Sequence, residues 1–410
     1  MSAQPPRHVP IQFDVVDDCL VVGGIALTRL AAQVGQTPFY AYDRAQIDAR
    51  VAALRNVLPR EVSLHYAMKA NPMPALVAHM VRRVDGIDVA SGRELRVALD
   101  AGVDPREVSF AGPGKSEGEL RQAVAAGILL NVESMREVEL LAGLSVSLGL
   151  PARVALRINP DFELKTSGMK MGGGPKQFGV DAEQAPDVLR RIGQVGLAFE
   201  GFHIYAGSQN LKADSICDAQ TKSFDLAVRL AQAAPAPVRV LNLGGGFGIP
   251  YFPGETRLDV APIGDNLRGI VGRAAALLPG ARIAVELGRY LVGEAGIYVC
   301  RVVDRKISRE HVLLVTDGGL HHHLAASGNF GQVIRKNYPV AIGNRIVGAR
   351  RETASVVGPL CTPLDLLADR MDLAVAEPGD LVVVFQSGAY GATASPQGFL
   401  SHPHLVEALV

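Results

Sequence analysis

Val62-Ser63-Leu64-His65-Tyr66-Ala67-Met68-Lys69-Ala70-Asn71-Pro72 is a short apolar run that breaks off at a lysine and an Asn-Pro turn. Upstream, Ile47, Val51, Leu54 and Leu58 recur at the spacing of one helical face. The same succession of run and amphipathic stretch begins at Phe39-Tyr40-Ala41-Tyr42. It continues through Ile87-Asp88-Val89-Ala90, Val108-Ser109-Phe110-Ala111, Ile128 to Val132, Val154 to Ile158, Phe199 to Tyr205, Val238 to Leu243 and Ile283 to Glu286. Strand alternating with helix predicts a parallel sheet covered by helices. The number of repeats, with polar residues at successive strand ends, favours a closed (β/α)8 TIM barrel over an open sheet. After about Gly296 the helices drop out, and Ile297 to Val302, Val312 to Val315 and Leu381 to Phe385 read as strands joined by turns. The expected organisation is N-terminal strands over 1–37 that join a β domain, a barrel over 38–296 and a mostly β domain over 297–410.

Composition narrows the function classes. The chain has 410 residues, with 41 Lys and Arg against 41 Asp and Glu. A net charge of zero argues against nucleic acid as the main partner, since phosphate binding wants a basic stripe. Hydrophobic residues make up 48% and charged residues 20%, which supplies a sizeable core and argues against disorder. No apolar run is long enough to cross a bilayer, and the start, Met1 to Pro6, lacks the pattern of a secretory signal. Cys19, Cys217, Cys300 and Cys361 are scattered, with no CxxC pair. The expectation is a soluble cytoplasmic enzyme with no membrane partner.

In a barrel the reacting groups lie at the carboxyl ends of strands. Lys69 follows such an end, and reads either as a surface lysine or as an amine, depressed in pKa by partial burial, that forms a Schiff base. Leu241-Asn242-Leu243-Gly244-Gly245-Gly246-Phe247-Gly248 ends another strand. Its glycines suit a phosphate cradle or a bare tight turn, and Ile249-Pro250 denies it the helix of a dinucleotide fingerprint. Gly112-Pro113-Gly114-Lys115-Ser116 imitates a P-loop ending, but Ser109 stands where the earlier glycine is needed. Glu286 and Arg289 close the last barrel strand, either as a local ion pair or as partners for a protonated ring nitrogen and an anion. His321-His322-His323 has no acidic or histidine partners at ligand spacing, so no metal is expected.

Taken together, these segments resemble the fold-type III pyridoxal-phosphate-dependent decarboxylases, the diaminopimelate, ornithine and arginine decarboxylase family. The likeness rests on Tyr66 to Asn71, Asp88 to Ser91, Phe110 to Lys115, Gly207-Ser208-Gln209, Gly244 to Gly248, Glu286 to Arg289, Gly358 to Cys361 and Gly388 to Gly391. It implies an alanine-racemase-like barrel and pyridoxal 5′-phosphate held by Lys69 as a Schiff base. It also implies that Gly244, Gly245, Gly246, Ser208, Arg289 and Tyr390 surround phosphate and substrate carboxylate. Glu286 would pair with the pyridine nitrogen, Arg157 would lie near the ring hydroxyl, and Asp88 would belong to the cofactor site. The implied assembly is a homodimer with shared active sites, in which Cys361 reaches the partner's cofactor; Lys69 or Cys361 would return the proton.

Three departures from the family bear on substrate. Tyr205 stands where the family usually has a ring-stacking histidine, and His203 shares its strand face, so Tyr205 is expected to stack on the cofactor with His203 in support. Thr362-Pro363 follows Cys361 where diaminopimelate and ornithine enzymes carry an acid for the distal ammonium; losing that charge-assisted bond costs about 1.5–3 kcal/mol. Arg335 and Tyr338 resemble the substrate-contact pair at a spacing one residue shorter. The expected reaction is decarboxylation of an amino acid or an amino-acid conjugate in a specialised biosynthetic pathway; the resemblance allows a glutamyl group on a carrier protein, or a siderophore or exosortase-associated intermediate. Glu286 argues against the racemase alternative, which puts an arginine at the ring nitrogen. The retained Lys69 and Cys361 argue against a non-catalytic homologue, and diaminopimelate decarboxylase stays as the alternative substrate reading.

Overall fold

The computed structural model describes residues 7–163, 169–170 and 172–410, so the chain's first six residues lie outside the description. The chain forms two compact units. One comprises residues 50–249 and 258–288, and the other residues 1–49, 250–257 and 289–410.

The first unit is a closed parallel barrel of eight strands: β1 (Val62–Ala67), β2 (Gly86–Val89), β3 (Val108–Phe110), β4 (Leu129–Val132), β5 (Arg153–Asn159), β6 (Ala198–Ile204), β7 (Val240–Gly245) and β8 (Arg282–Leu287). Pairing of Ile283 with Val62 through Leu287 with Tyr66 joins β8 to β1 and leaves no free edge. Helices connect the strands, and their ends carry sequence-encoded signals. Ser91, Ser116 and Ser134 each accept a backbone N–H three residues on, and Ser116 with Glu119 forms a capping box. Gly127 and Gly149 end two of these helices in the left-handed conformation.

In the second unit six strands form one sheet in the order Val340–Ile342, Leu381–Val384, Gly296–Ser308, His311–Thr316, Arg351–Val357 and Leu366–Ala374. Phe39–Tyr42 pairs with the start of the long Gly296–Ser308 strand and, on its other side, with Val406–Leu409. This run looks like the first strand of the barrel rhythm in the sequence, yet it belongs to the β unit. All four of its residues are buried, and Phe39 and Ala41 join Leu20, Val22, Leu27, Ile297, Val299, Leu381 and Val383 in one core. A fully buried strand reads the same in a barrel or a mixed sheet, so its pattern cannot choose between them.

One loop of this unit is organised by a buried acid. Asp365 accepts the backbone N–H of Leu320 through Oδ1 at 2.6 Å and that of Leu360 through Oδ2 at 2.8 Å. A side chain at Gly319 or Gly358 would overlap its carboxylate. Asp365→Ala leaves two buried donors without partners and is expected to cost about 2–4 kcal/mol, read as a fall in the thermal or denaturant midpoint of the β unit.

Candidate active site

The polar residues of the barrel strands meet one another inside the barrel. His65 on β1 contacts Asp88 on β2 (Nδ1 to Oδ1, 3.2 Å), Ser109 on β3 donates to the same oxygen, and Asn131 on β4 donates to Ser109 at 3.2 Å. Burial would lower the His65 pKa, but the neighbouring Asp88 charge and hydrogen bond outweigh it and raise it. Arg157 on β5 gives Nη1 to Glu133 Oε1 at 2.8 Å and lies 4.9 Å from the Phe178 ring centroid. Glu133, directly after β4, also takes the N–H groups of Gly112 and Gly179. Burial works against its charge, but Arg157 and Lys115 prevail and hold its carboxyl below the usual range.

Strands β6, β7 and β8 converge on one carboxylate. Glu286 Oε2 accepts from His203 Nε2 at 3.0 Å and from Asn242 Nδ2 at 3.0 Å. His203 and Glu286 stand on strands separated by β7, so this contact crosses the barrel interior. Burial raises the Glu286 pKa, but the charge and hydrogen bond of His203, then the charges of Lys69 and Arg157, bring it well below the ordinary carboxylate range. Glu286 is therefore an anion in a buried setting. Both of its hydrogen bonds fall on Oε2, which leaves Oε1 without one among the described residues.

Lys69 sits in a single 3-10 turn, Met68–Ala70, at the carboxyl end of β1. Its Nζ lies 5.7 Å from the centroid of the Tyr205 ring. Its neighbours Met68 and Ala70 are buried whereas Lys69 itself is exposed. Tyr205 is half-buried, and its ring is 6.5 Å from His203 with a 41° tilt. His203 thus keeps a ring contact with Tyr205 while its Nε2 is bonded to Glu286.

The loops after β6 and β7 are clasped together. Asn210 N donates to Gly246 O, Gly248 N donates to Asn210 O, and the Gln209 amide bonds both the N–H and the C=O of Ile249. A Cβ on Gly245 would overlap Glu286 O, and one on Gly246 would overlap Gly207 O. Close backbone approach therefore dictates these glycines, and it holds the buried Ser208 beside them. Lys115, from the P-loop look-alike, is buried and donates to Gly112 O and Asn131 O, with Glu137 at 3.1 Å. It braces the barrel wall.

The β unit carries the other expected residues. The Arg289 guanidinium lies 4.7 Å from the Tyr390 ring centroid and 5.9 Å from that of Tyr251. Tyr390 has φ +55°, a left-handed conformation, between the close-packed Gly388 and Gly391. Tyr338 is buried against Tyr251, at 4.8 Å, and His323, at 5.6 Å. Arg335 spends its donors on Ser327 O, Asn337 Oδ1 and Leu366 O. Cys361 is exposed on its loop, and Thr362 beside it is partly buried. His321, His322 and His323 are buried, and no group of described residues could hold a metal ion.

Sequence reading missed His65, Glu133, Asn242 and Tyr251. The first three carried a usable signal: each is a polar residue within or directly after an apolar barrel strand, where only an interior partner makes burial affordable. Tyr251 carried none, since its neighbours come from remote segments.

Comparison with known proteins follows the same lines. A family model described as the pyridoxal-binding domain of pyridoxal-dependent decarboxylases matches residues 44–293. The L-glutamyl-[BtrI acyl-carrier protein] decarboxylase of Niallia circulans is 38% identical over 91% of this chain and 89% of its own. The diaminopimelate decarboxylase of Aquifex aeolicus is 32% identical over 96% and 91%. The crystal structure of diaminopimelate decarboxylase from M. jannaschii in complex with L-lysine superposes with a TM-score of 0.87 at 25% identity, covering 97% of this chain and 92% of that one.

Proposed function

Because this chain belongs to the pyridoxal-dependent decarboxylases, we propose that it removes the α-carboxylate of an amino-acid conjugate carried on a carrier protein, with Lys69 as the amine that holds the cofactor. Its cofactor is pyridoxal 5′-phosphate, which when bound supplies an electron sink for the pair left behind as CO2 departs. The residues present fit that group. Glu286 is anionic with Oε1 unengaged among the described residues, which suits a protonated ring nitrogen as donor. Asn242 and His203 fix the carboxylate so that Oε1 keeps one direction.

The remaining roles are those that the likeness to the family implies. Tyr205 offers a ring face near Lys69, and Asp88 and Arg157 line the barrel wall around it. Ser208 with Gly244, Gly245 and Gly246 is assigned to the phosphate. Arg289 and Tyr390 are assigned to phosphate and substrate carboxylate, because a guanidinium stacked on a ring keeps its edge donors in a fixed plane. Tyr338 and Thr362 are assigned to the substrate's far end, together with Arg335. In a homodimer, the exposed Cys361 is available to the partner subunit's site, and either Cys361 or Lys69 returns the proton to Cα. A cytoplasmic location completes this reading.

One observation carries the choice of substrate. The loop after Cys361 has no acid free for a distal ammonium. Thr362 and Pro363 are uncharged, and the first carboxylate beyond them, Asp365, is buried with both oxygens on backbone N–H groups. A diaminopimelate or ornithine side chain would bring its ammonium to a site without a counter-charge. The similarity to the Aquifex enzyme favours diaminopimelate decarboxylase as the second reading. Incubation of the holoenzyme with L-glutamyl-acyl-carrier protein, meso-diaminopimelate and ornithine, with CO2 measured, separates the two. Turnover of the carrier-bound substrate at least tenfold above the free diamino acids is expected. Efficient turnover of meso-diaminopimelate alone selects the second reading.

A further inference from the structure

A groove of about 850 Å³ opens on the β unit, and its lining is basic. Arg7, Arg335, Lys336, Arg351 and Arg370 face it, against the carboxylates of Asp369 and Asp372. On a chain with no net charge this is a local concentration. One cation is neutralised in place, since Arg351 binds Asp372 at 2.8 Å. Arg7, Lys336 and Arg370 are exposed and have no carboxylate partner among the described residues.

The groove is built by a bulge. Ala354 pairs with Met371 and Val356 with Ala368, so the single residue Ser355 opposes two residues, Asp369 and Arg370. Arg370 takes φ +48°, and its N–H donates to Ser355 Oγ at 2.9 Å. Asn337 grips the backbone of Asp369 on both sides, at 2.7 and 2.9 Å, and Arg335 in turn binds Asn337. Arg370 is thus fixed by its own bond to Ser355 and by the grip of Asn337 on the residue before it. The same short segment links the groove to the proposed substrate residues. Lys336 lies over the Phe252 ring at 5.5 Å, and two residues on, Tyr338 packs on Tyr251 beside Arg289.

We infer that this groove docks an acidic face of the carrier protein that presents the substrate; the inference rests on the carrier-linked reading above. A carrier delivers its acyl group on a phosphate-containing arm from an acidic surface, and a basic groove on the approach to the substrate residues attracts both. Rim charges of this kind act on encounter and on salt dependence more than on the chemical step.

The test uses the holoenzyme with two substrates, L-glutamyl-acyl-carrier protein and the L-glutamyl thioester of N-acetylcysteamine, which lacks both protein and phosphate. The variants are Lys336→Glu, Arg370→Glu and the two combined, with Arg7→Glu as an independent probe. For the carrier-bound substrate, KM is expected to rise about tenfold or more in the double variant with kcat little changed. In the wild type that KM is expected to rise with ionic strength. The small thioester should be indifferent to both changes. Equal losses on both substrates, or no change on either, would overturn the docking inference while leaving the carrier-linked function standing. A change in oligomeric state on gel filtration would instead make the groove an interface between copies of this chain, and would also overturn it. If the wild type ignores the carrier-bound substrate and decarboxylates only a free diamino acid, the carrier-linked function fails and the inference fails with it.

Discussion

Lys69→Ala is expected to remove essentially all decarboxylation, a fall of about a thousandfold or more, while the fold survives. The two halves of that result have different causes. Lys69 is exposed and occupies a single turn after β1 with its amine over the Tyr205 ring, so truncation is expected to cost at most about 1 kcal/mol of stability. Its amine, however, follows β1 to a place over the Tyr205 ring where its charge acts on Glu286, and no other lysine among the described residues is assigned to that place. Lys115, the nearest substitute by motif, is buried behind Glu133 and Glu137. The measurement pairs CO2 release with the visible absorbance of purified protein and a thermal melt. A variant that stays coloured after dialysis and keeps even a tenth of its turnover would mean that another group holds the cofactor.

Glu286→Gln carries the second-largest effect. Glutamine preserves shape and can still accept from His203 and Asn242, but it removes the negative charge. With no anion to favour a protonated ring nitrogen, turnover is expected to fall about a hundredfold, which is ~2.7 kcal/mol of barrier. The substitution also changes the response to acid. The folded-state pKa of Glu286 is lowered, so its stabilising contribution is fully present above the ordinary carboxylate pKa of about 4.3 and is lost as pH falls through the lowered value. Wild-type protein should therefore lose stability over that acid window, and Glu286→Gln should lose less there. Parallel acid-unfolding curves for the two proteins would show that the carboxylate is not held ionised by its neighbours.

The barrel was legible in the sequence because its signals are local. Each strand is a short apolar run, each helix has a 3.6-residue face, and serine caps mark several helix starts. Lys69, Glu286 and Arg289 could be picked out because all three follow directly from strand ends. The pairing of His203 with Glu286 was not legible, since two strands 83 residues apart must first be bent into a ring. Phe39–Tyr42 misled for the complementary reason: its residues are buried on both faces, and only the identity of its partners separates the two sheets. The exposure of Lys69 was one of the two readings its residue type allowed, and the turn at Met68–Ala70 sets it.

Phe39–Tyr42 also fixes an order of events. Its two neighbours in the sheet, Gly296–Ser308 and Val406–Leu409, are made long after it, and the barrel segments are made in between. On the ribosome, then, this nascent strand must wait, with Phe39, Tyr40 and Tyr42 unshielded on one side until Gly296–Ser308 is made and on the other until Val406–Leu409 follows. Without Val406–Leu409 that buried strand would present an unpaired apolar rim, the kind of edge that recruits other chains.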